Sequence, residues 1–288
     1  MLSLTNGSMY CYNTNRISIE EYRVRCHLSR WEMLKLAKEG VRMKYPIADK
    51  YTDLETIYRE CSGPGGLQLA EYMAEKMKIE QGKKLIDIGF NRGYQTCFLA
   101  KEYGLDIVAI DPLNDLDTGL PHIDYLMKNA ADFGLLDKIL GVKSGVPDTL
   151  MPTGYFDYAY STTTLEMVRG YQGMDMYLAS LREIHCILKK GGVFGLGEPM
   201  HFDAPVPADL AEYVKSNQWE ECFATIDETK RAVIDAGFTV IEAGYCEEAD
   251  RWWKEFATYE PGCDPNDIAV IENNDKRWLS FGYVIAVK

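Results

Sequence analysis

The sequence lacks the residue patterns that mark several common classes of protein. Its eight cysteines include no CxxC pair, and its four histidines form no cluster with zinc-ligand spacing, so we expect no structural metal. No stretch approaches the roughly 18 apolar residues of a membrane helix. The amino-terminal residues have neither the basic start nor the apolar core of a secretory signal. These absences favour a reduced cytoplasmic protein without a membrane segment.

Basic residues are fewer than acidic ones: 31 lysines and arginines against 44 aspartates and glutamates give a net charge of −13. Such a field repels a phosphate backbone, which argues against a nucleic-acid partner. With 288 residues, 47% of them hydrophobic, the chain can bury the core of one elaborated domain or two small ones.

The most informative segment is Lys83 to Gly93, which reads KKLIDIGFNRG. A hydrophobic run that contains Asp87 leads into a turn bounded by Gly89 and Gly93, and a helical pattern follows. A second hydrophobic run then ends on Asp111. Strand, glycine-bearing turn, helix, and a strand that ends on a carboxylate are typical of a nucleotide-binding βαβ unit.

The glycine spacing indicates which class of nucleotide the turn would bind. A dinucleotide fingerprint needs glycine at its first, third and sixth positions, which here are Gly89, Asn91 and Tyr94. The third glycine lets helix and strand pack closely, and tyrosine cannot do so, which leaves a nicotinamide-dependent oxidoreductase as a less favoured alternative. Glycines at the first and fifth positions instead resemble motif I of the class I S-adenosylmethionine (SAM) methyltransferases.

Strands and helices alternate after this motif, which predicts an α/β fold with a parallel sheet and right-handed crossovers. Strands are predicted at 84–88, 106–110, 139–143, 155–160, 192–197, 238–245 and 278–287, and helices at 93–103, 121–134, 172–189 and 225–236. The class I methyltransferase resemblance implies a seven-stranded, mostly parallel sheet whose last strand is antiparallel and lies between the fifth and sixth.

We predict two domains. Residues 1–66 form an N-terminal helical cap or lid, because Ser18 to Lys44 has helical periodicity and a short helix follows at Leu54 to Cys61. Residues 67–288 form the SAM-binding methyltransferase domain, with an insertion at about 246–277 between the last two strands.

The resemblance also implies a cofactor site for S-adenosylmethionine. In the family, the motif I turn lies against the methionine part of the cofactor, which places Gly89, Asn91 and Gly93 beside it. Asn91 stands where glycine is usual, and asparagine is the side chain that best tolerates a left-handed backbone. Asp87 matches the acid that orients the turn or reaches the cofactor's amino group. Asp111 matches the acid that binds both ribose hydroxyls.

Further cofactor contacts are expected after the third and fourth strands. Ser144 and Val146 occupy the place where the family has an acid and a small residue beside adenine, and Ser161 follows strand four. Met167 stands where many members have a histidine, so a base at that position is absent here.

Methyl transfer from a sulfonium is an in-line displacement, and a base is needed only when the acceptor arrives protonated. Candidates at the carboxyl ends of the strands are Tyr160, Glu198 and His201. We expect Glu198 and His201 to share one loop after strand five, where they could accept a proton or hold a cationic amine. Alternatively, they are surface residues that flank the turn at Pro199.

The function predicted from the sequence is methyl transfer from SAM to a small-molecule acceptor in an enclosed site. A non-catalytic SAM-binding or scaffold subunit is the alternative from another class. The sequence leaves open the acceptor, its reacting atom, and whether the chain forms a homodimer.

Overall fold

The computed structural model describes residues 44–61 and 63–288, together with the backbone of two short strands near the amino terminus. The chain divides into two compact units, residues 1–52 and 53–288. In the first unit, Ser3–Leu4 pairs antiparallel with Gly7–Ser8, and Ala48–Lys50 forms one turn of 3₁₀ helix. The helix predicted between Ser18 and Lys44 lies almost wholly outside the described residues.

The second unit contains a seven-stranded sheet flanked by helices. Its strands are β1 (Lys84–Ile88), β2 (Asp106–Ile110), β3 (Ile139–Val142), β4 (Phe156–Thr162), β5 (Leu188–His201), β6 (Thr239–Tyr245) and β7 (Leu279–Val287). The order across the sheet is β3-β2-β1-β4-β5-β7-β6. β1 to β5 are parallel neighbours, and β7 runs antiparallel between β5 and β6. The predicted fold class and the placement of the last strand are therefore confirmed.

Eleven helices are described in this unit. They are α1 (Leu54–Glu60), α2 (Gly66–Met77), α3 (Tyr94–Tyr103), α4 (His122–Phe133), α5 (Leu165–Gln172), α6 (Met174–Ile187), α7 (Ala211–Ser216), α8 (Trp219–Cys222), α9 (Ile226–Asp235), α10 (Ala249–Tyr259) and α11 (Pro265–Asn273). In the described part of the chain, no helix combines the length and the hydropathy needed to cross a membrane.

The helix predicted at 172–189 is present as α6, but it begins at Met174 and ends at Ile187, because β5 starts at Leu188. The helix before it, α5, was not predicted, and the two helices meet at Gly173. Gly173 adopts φ 86° and ψ 170°, a conformation that is open to glycine and ends a helix. The short helices α7 and α8 were not predicted, because segments of six and four residues are too short to show a period.

β5 is longer than its predicted range of 192–197. It continues through Pro199 to His201, paired with β7 along that whole length. On the other side, β4 ends at Thr162, opposite Gly197. Beyond Gly197, β7 is therefore the remaining strand neighbour. Pro199, which has no N–H, is tolerated because it lies between the end of β4 and the bridge from Met200 to Ala224. The segment Gly197–His201 is strand and not the loop that the sequence predicted.

Two hydrophobic clusters are seen among the residues that the structure describes in this unit. The larger joins the central strands to α6 and α9, with the fully buried side chains of Phe156, Phe194 and Leu181 among its members. The second joins α7, α8, α10 and α11 around Trp278 and Trp253. The second cluster packs the insertion helices α10 and α11 against α7 and α8, so the helices of this insertion are a packed part of the domain.

Candidate functional site

The turn between β1 and α3 alternates between left-handed and ordinary backbone. Gly89, Asn91 and Gly93 have φ values of +77°, +51° and +76°. This alternation confirms that Asn91 takes the left-handed conformation expected of it. A chain that curls in this way presents successive backbone N–H groups on one side, an arrangement suited to polar ligands.

Both glycines of the turn are required by their surroundings as well as by their φ angles. A Cβ atom added at Gly89 would overlap the side chain of Thr164, and one at Gly93 would overlap Leu126. The Thr164 hydroxyl also donates a hydrogen bond to the Gly89 carbonyl at 3.2 Å. The turn is therefore packed directly against the start of α5 on one side and against α4 on the other.

Asp111, immediately after β2, accepts hydrogen bonds from two segments at the carboxyl ends of the strands. Its Oδ2 accepts a hydrogen bond from the backbone N–H of Asn91 at 3.0 Å, and its Oδ1 accepts one from Leu113 N–H at 2.9 Å. His122 Nδ1 lies 3.1 Å from Oδ2, a close polar contact without the angle of a hydrogen bond. The carboxylate thus fixes the glycine turn relative to the loop that follows β2.

Asp87 lies beneath the turn and is almost fully buried. The Thr96 hydroxyl donates a hydrogen bond to its Oδ2 at 2.6 Å. Burial raises the pKa of Asp87 to about 7, against the opposing effect of the Thr96 hydrogen bond and with a smaller increase from the charge of Asp111. Asp87 therefore anchors the first turn of α3 from inside the protein.

The candidates after β3 and in β4 lie in different surroundings. Ser144 donates from its hydroxyl to the Thr149 carbonyl at 3.2 Å, and Val146 packs on the large core cluster. Gly145 between them lies close to Pro112, since a Cβ there would be 3.0 Å from Pro112 Cγ. This loop thus borders the loop that follows Asp111. Ser161 is fully buried inside β4 and donates to the carbonyl of Ile88 at 3.1 Å, which links the ends of two strands.

Tyr160 belongs to a buried hydrogen-bond network centred on Gln95, a residue that the sequence analysis missed. The hydroxyls of Tyr160 and Thr162 each donate to Gln95 Oε1 at 2.9 Å, and Gln95 Nε2 donates to the Gly66 carbonyl at 2.7 Å. Burial raises the pKa of Tyr160 well above its usual range. The position of Gln95 as the second residue of α3 gave no signal of this role, because a polar side chain at the start of a helix is equally compatible with solvent.

Glu198 and His201 do not form the pair that a shared loop would have allowed. They are three residues apart on a strand, which directs their side chains to opposite faces. The His201 ring stacks on Trp278 with a centroid separation of 5.0 Å and an interplanar angle of 10°. Glu198 is fully buried and accepts a hydrogen bond from Tyr177 at 3.2 Å.

Glu198 instead belongs to a buried polar cluster below the edge of the sheet. Burial raises its pKa to about 7, although Arg169 and the Tyr177 hydroxyl act in the opposite direction. Burial together with the charge of Glu198 raises the pKa of Glu166 well above its usual range. Arg169 donates to the carbonyl of Cys222 and lies over the Tyr177 ring. This cluster fastens α5 to β5, α6 and α8.

A cavity of about 280 Å³ lies at the opposite edge of the sheet. Lys84, Asp106, Ile139 and Phe156, which line it, are the first residues of four parallel strands. Ligands of open α/β sheets bind beyond the carboxyl ends of the strands. The glycine turn with Asp111, and not this cavity, is therefore the candidate site.

Comparison with curated proteins gives similarity to methyltransferases. Phosphoethanolamine N-methyltransferase 1 from Arabidopsis thaliana is 23% identical over 186 residues, covering 62% of this chain and 33% of that protein. The chain thus spans about a third of the length of this curated relative.

Solved structures share the fold at low identity. Phosphoethanolamine N-methyltransferase 2 from Haemonchus contortus, in complex with phosphomonomethylethanolamine and S-adenosylhomocysteine, has a TM-score of 0.63 and 14% identity over 86% of this chain and 60% of that one. The cyclase SpnF has a TM-score of 0.63 and 17% identity over 85% of this chain and 95% of that one.

The family model for the methyltransferase domain matches residues 59–243. The match begins in α1 and ends in β6, and it includes the glycine turn, Asp111 and the buried cluster around Glu198. It covers well over half of the chain, and the chain therefore belongs to the methyltransferase domain family.

Proposed function

We propose that this protein transfers a methyl group from S-adenosylmethionine to a small-molecule acceptor. The observation that carries the proposal is the link between the glycine turn and Asp111, where a left-handed Asn91 places its N–H on the carboxylate. Together, they place a curled backbone and a carboxylate at the carboxyl ends of adjacent parallel strands, the place where α/β sheets bind nucleotides.

The acceptor sites on Asp111 fit a ribose. Each carboxylate oxygen has two lone pairs. Oδ1 uses one for Leu113 N–H, and Oδ2 faces Asn91 N–H and the ring of His122. Room thus remains on Oδ1 for a ribose hydroxyl, and a second hydroxyl would compete with His122 for Oδ2.

The remaining cofactor contacts are proposed from position. Gly89, Asn91 and Gly93 would approach the methionine part through their backbone, and Asp87 would support the turn from below. Ser144 and Val146, which border the loop after Asp111, would lie on the adenine side. Ser161 would act indirectly, because its hydroxyl holds β4 to β1.

When bound, SAM would supply an electrophilic methyl group, and the protein would supply alignment. The three predicted proton-transfer candidates do not converge: Tyr160 and Glu198 are buried and hydrogen-bonded within the protein, and His201 is stacked on Trp278. We therefore propose that alignment of the acceptor supplies most of the acceleration. The roles predicted for these three residues stay predictions, and Y160F and E198Q test two of them.

A second candidate is a SAM-binding protein that performs other chemistry or none. The scattered positions of Tyr160, Glu198 and His201 support it, as does the similarity of the fold to the cyclase SpnF. This reading shares the cofactor site and differs in the reaction.

Titration calorimetry with SAM, S-adenosylhomocysteine and NAD⁺ tests the cofactor first. Binding of SAM and its demethylated product without NAD⁺ supports the proposal, and absence of SAM binding overturns it. Transfer from methyl-labelled SAM to phosphoethanolamine and a panel of other small amines, alcohols and thiols then tests the reaction. Binding without any turnover favours the second candidate.

The domain division, assembly and location are also proposals. Residues 1–66 would form an N-terminal helical cap or lid, and 67–288 the SAM-binding methyltransferase domain with its insertion at about 246–277. Light scattering of the purified protein tests whether it forms a homodimer. Fractionation of the source cells tests the cytoplasmic location.

A further inference from the structure

Arg92, which precedes Gly93 in the glycine turn, directs its mostly buried side chain to a neighbouring loop. Its Nη2 donates to Asp115 Oδ2 at 2.6 Å, and its Nε donates to the same oxygen at 3.0 Å. Two donors on one carboxylate fix the direction of a guanidinium as well as its distance. The turn is therefore connected to Asp115 by a directional, charge-assisted contact.

Asp115 organises the loop to which it belongs. This loop, residues 112–121, closes on itself through a hydrogen bond from Asp115 N–H to the Leu120 carbonyl at 2.8 Å. Asp115 Oδ1 also accepts from the backbone N–H and the hydroxyl of Thr118, at 2.9 and 2.8 Å. Burial alone would raise the pKa of Asp115, but the hydrogen bonds from Arg92 and Thr118 lower it to about 2.

Apolar packing does not hold the 112–121 loop in place. Its leucines Leu113, Leu116 and Leu120 are 61%, 100% and 50% exposed. Burial of a leucine side chain typically contributes about 1.5–3 kcal/mol, and these three forgo most of it. Polar contacts therefore connect the loop to the domain: the Arg92 contact, a hydrogen bond from Lys143 Nζ to Asn114 Oδ1 at 2.8 Å, and one between the Thr118 and Tyr125 hydroxyls at 2.7 Å.

Other groups hold the Arg92 side chain in position. The Tyr125 ring of α4 lies 4.7 Å from its Cζ, and Glu60 at the end of α1 lies 3.6 Å from its Nη1. Asn129 donates to the Arg92 carbonyl at 2.8 Å. A guanidinium positioned from two helices is preorganised, so little side-chain entropy is lost when it binds Asp115.

We propose that Arg92 is a positioning residue for cofactor binding, which clamps the 112–121 loop so that Asp111 is held where ribose would bind. The loop begins directly after Asp111, and Leu113 N–H is one of the donors to that carboxylate. Release of Asp115 would loosen Leu113 and with it the orientation of Asp111. This inference rests on the proposed function, because it concerns affinity for the same cofactor.

The test compares R92M, R92K and D115N with wild type by calorimetry and steady-state kinetics. We expect R92M to weaken SAM binding and raise the KM for SAM about tenfold, the size of a typical coupling between contacting groups. Its kcat at saturating SAM should stay within about twofold, because the proposed role of Arg92 concerns cofactor binding alone. R92K keeps the charge but loses the planar fork of the guanidinium, and should recover part of the loss.

The matched control is R277M, which removes an equivalent arginine–aspartate contact at an exposed site, where Arg277 donates to Asp209 at 2.8 and 2.9 Å. It should leave SAM affinity unchanged. D115N keeps an oxygen for Thr118 but loses the charge that Arg92 binds. It should weaken SAM binding as much as R92M does, and it provides the same test if R92M folds poorly. SAM affinity within twofold of wild type in both R92M and D115N would overturn the inference. A wild-type protein that does not bind SAM would instead overturn the proposed function.

Discussion

The backbone N–H of Asn91 donates a hydrogen bond to Asp111 Oδ2 at 3.0 Å, across 20 residues of sequence. One carboxylate thus holds the turn after β1 in register with the end of β2. The asparagine supplies the left-handed backbone that aims this N–H. Replacement of the usual glycine by Asn91 leaves this backbone contact in place.

Substitution D111A is expected to weaken SAM binding by roughly 10- to 100-fold, because it removes charge-assisted hydrogen bonds to ribose and the acceptor for Asn91 N–H. Calorimetry measures the change. The matched control is D132A, since Asp132 is an exposed carboxylate on α4 paired with Lys128. Unchanged affinity in D111A would show that the ribose site lies elsewhere.

Substitution G89A should destabilise the protein by about 2–5 kcal/mol, because the new Cβ both strains a left-handed backbone and overlaps Thr164. G82A separates the two causes. Gly82 has a φ of +76°, and a Cβ there would meet nothing within 4 Å. We expect backbone strain alone to destabilise G82A, by about 1–2 kcal/mol. Urea unfolding measures both, and equal losses would mean that contact with Thr164 is not tight.

The pH dependence of stability should reveal the buried Glu198. Its pKa is raised from 4.5 to about 7 in the folded protein, so the folded state holds a proton that the unfolded chain releases. Stability from this group is present below pH 4.5 and is lost as pH rises to about 7. At 1.36 kcal/mol per pKa unit, the loss is about 3 kcal/mol.

Substitution E198Q, which mimics the protonated group, should therefore match wild type at pH 4.5 and exceed its unfolding free energy at pH 8. The exposed Glu220 provides the control, since E220Q should leave the difference near zero at both pH values. The steady-state kinetics of E198Q address catalysis. Retention of methyl transfer in E198Q supports a structural role, and a large loss of kcat would make Glu198 the base predicted from the sequence.

The Gln95 network makes a graded prediction. Y160F removes one of two donors to Gln95 and should cost about 1 kcal/mol, with methyl transfer within a few-fold of wild type. Q95L leaves the Tyr160 and Thr162 hydroxyls and the Gly66 carbonyl without this partner, and should cost about 3 kcal/mol. Denaturant unfolding of the two single variants and the double variant measures their coupling. A drop of several orders of magnitude in kcat for Y160F alone would restore Tyr160 as a catalytic residue.

The strands were predictable because alternation of hydrophobic runs and turn residues is a local signal. β1 and β2 begin and end where the sequence predicted, since each run is bounded by turn residues and charges. The last strand could be placed only through the family resemblance, because pairing between β5 and β7 joins residues about ninety positions apart.

The site was only partly predictable, for a physical reason. Gly89 and Gly93 are fixed by local backbone, so their spacing identifies the turn. The role expected of Asp111 follows from the family resemblance and stays a prediction. Arg92 and Gln95 acquire their roles from partners on other elements, and a polar side chain at the start of a helix is equally compatible with solvent. Glu198 was misplaced because Gly197 and Pro199 indicate a turn when the neighbouring strand is unknown.

The position of β7 has a consequence for how the protein forms. In the described sheet, β6 pairs with β7 and with no other strand, yet it precedes β7 in the chain. During synthesis on the ribosome, about forty further residues must be added after β6 before β7, its pairing partner, is complete. Its exposed edge is then a point of risk for association with other chains. Completion of the sheet at that edge therefore comes last and depends on the carboxyl-terminal strand.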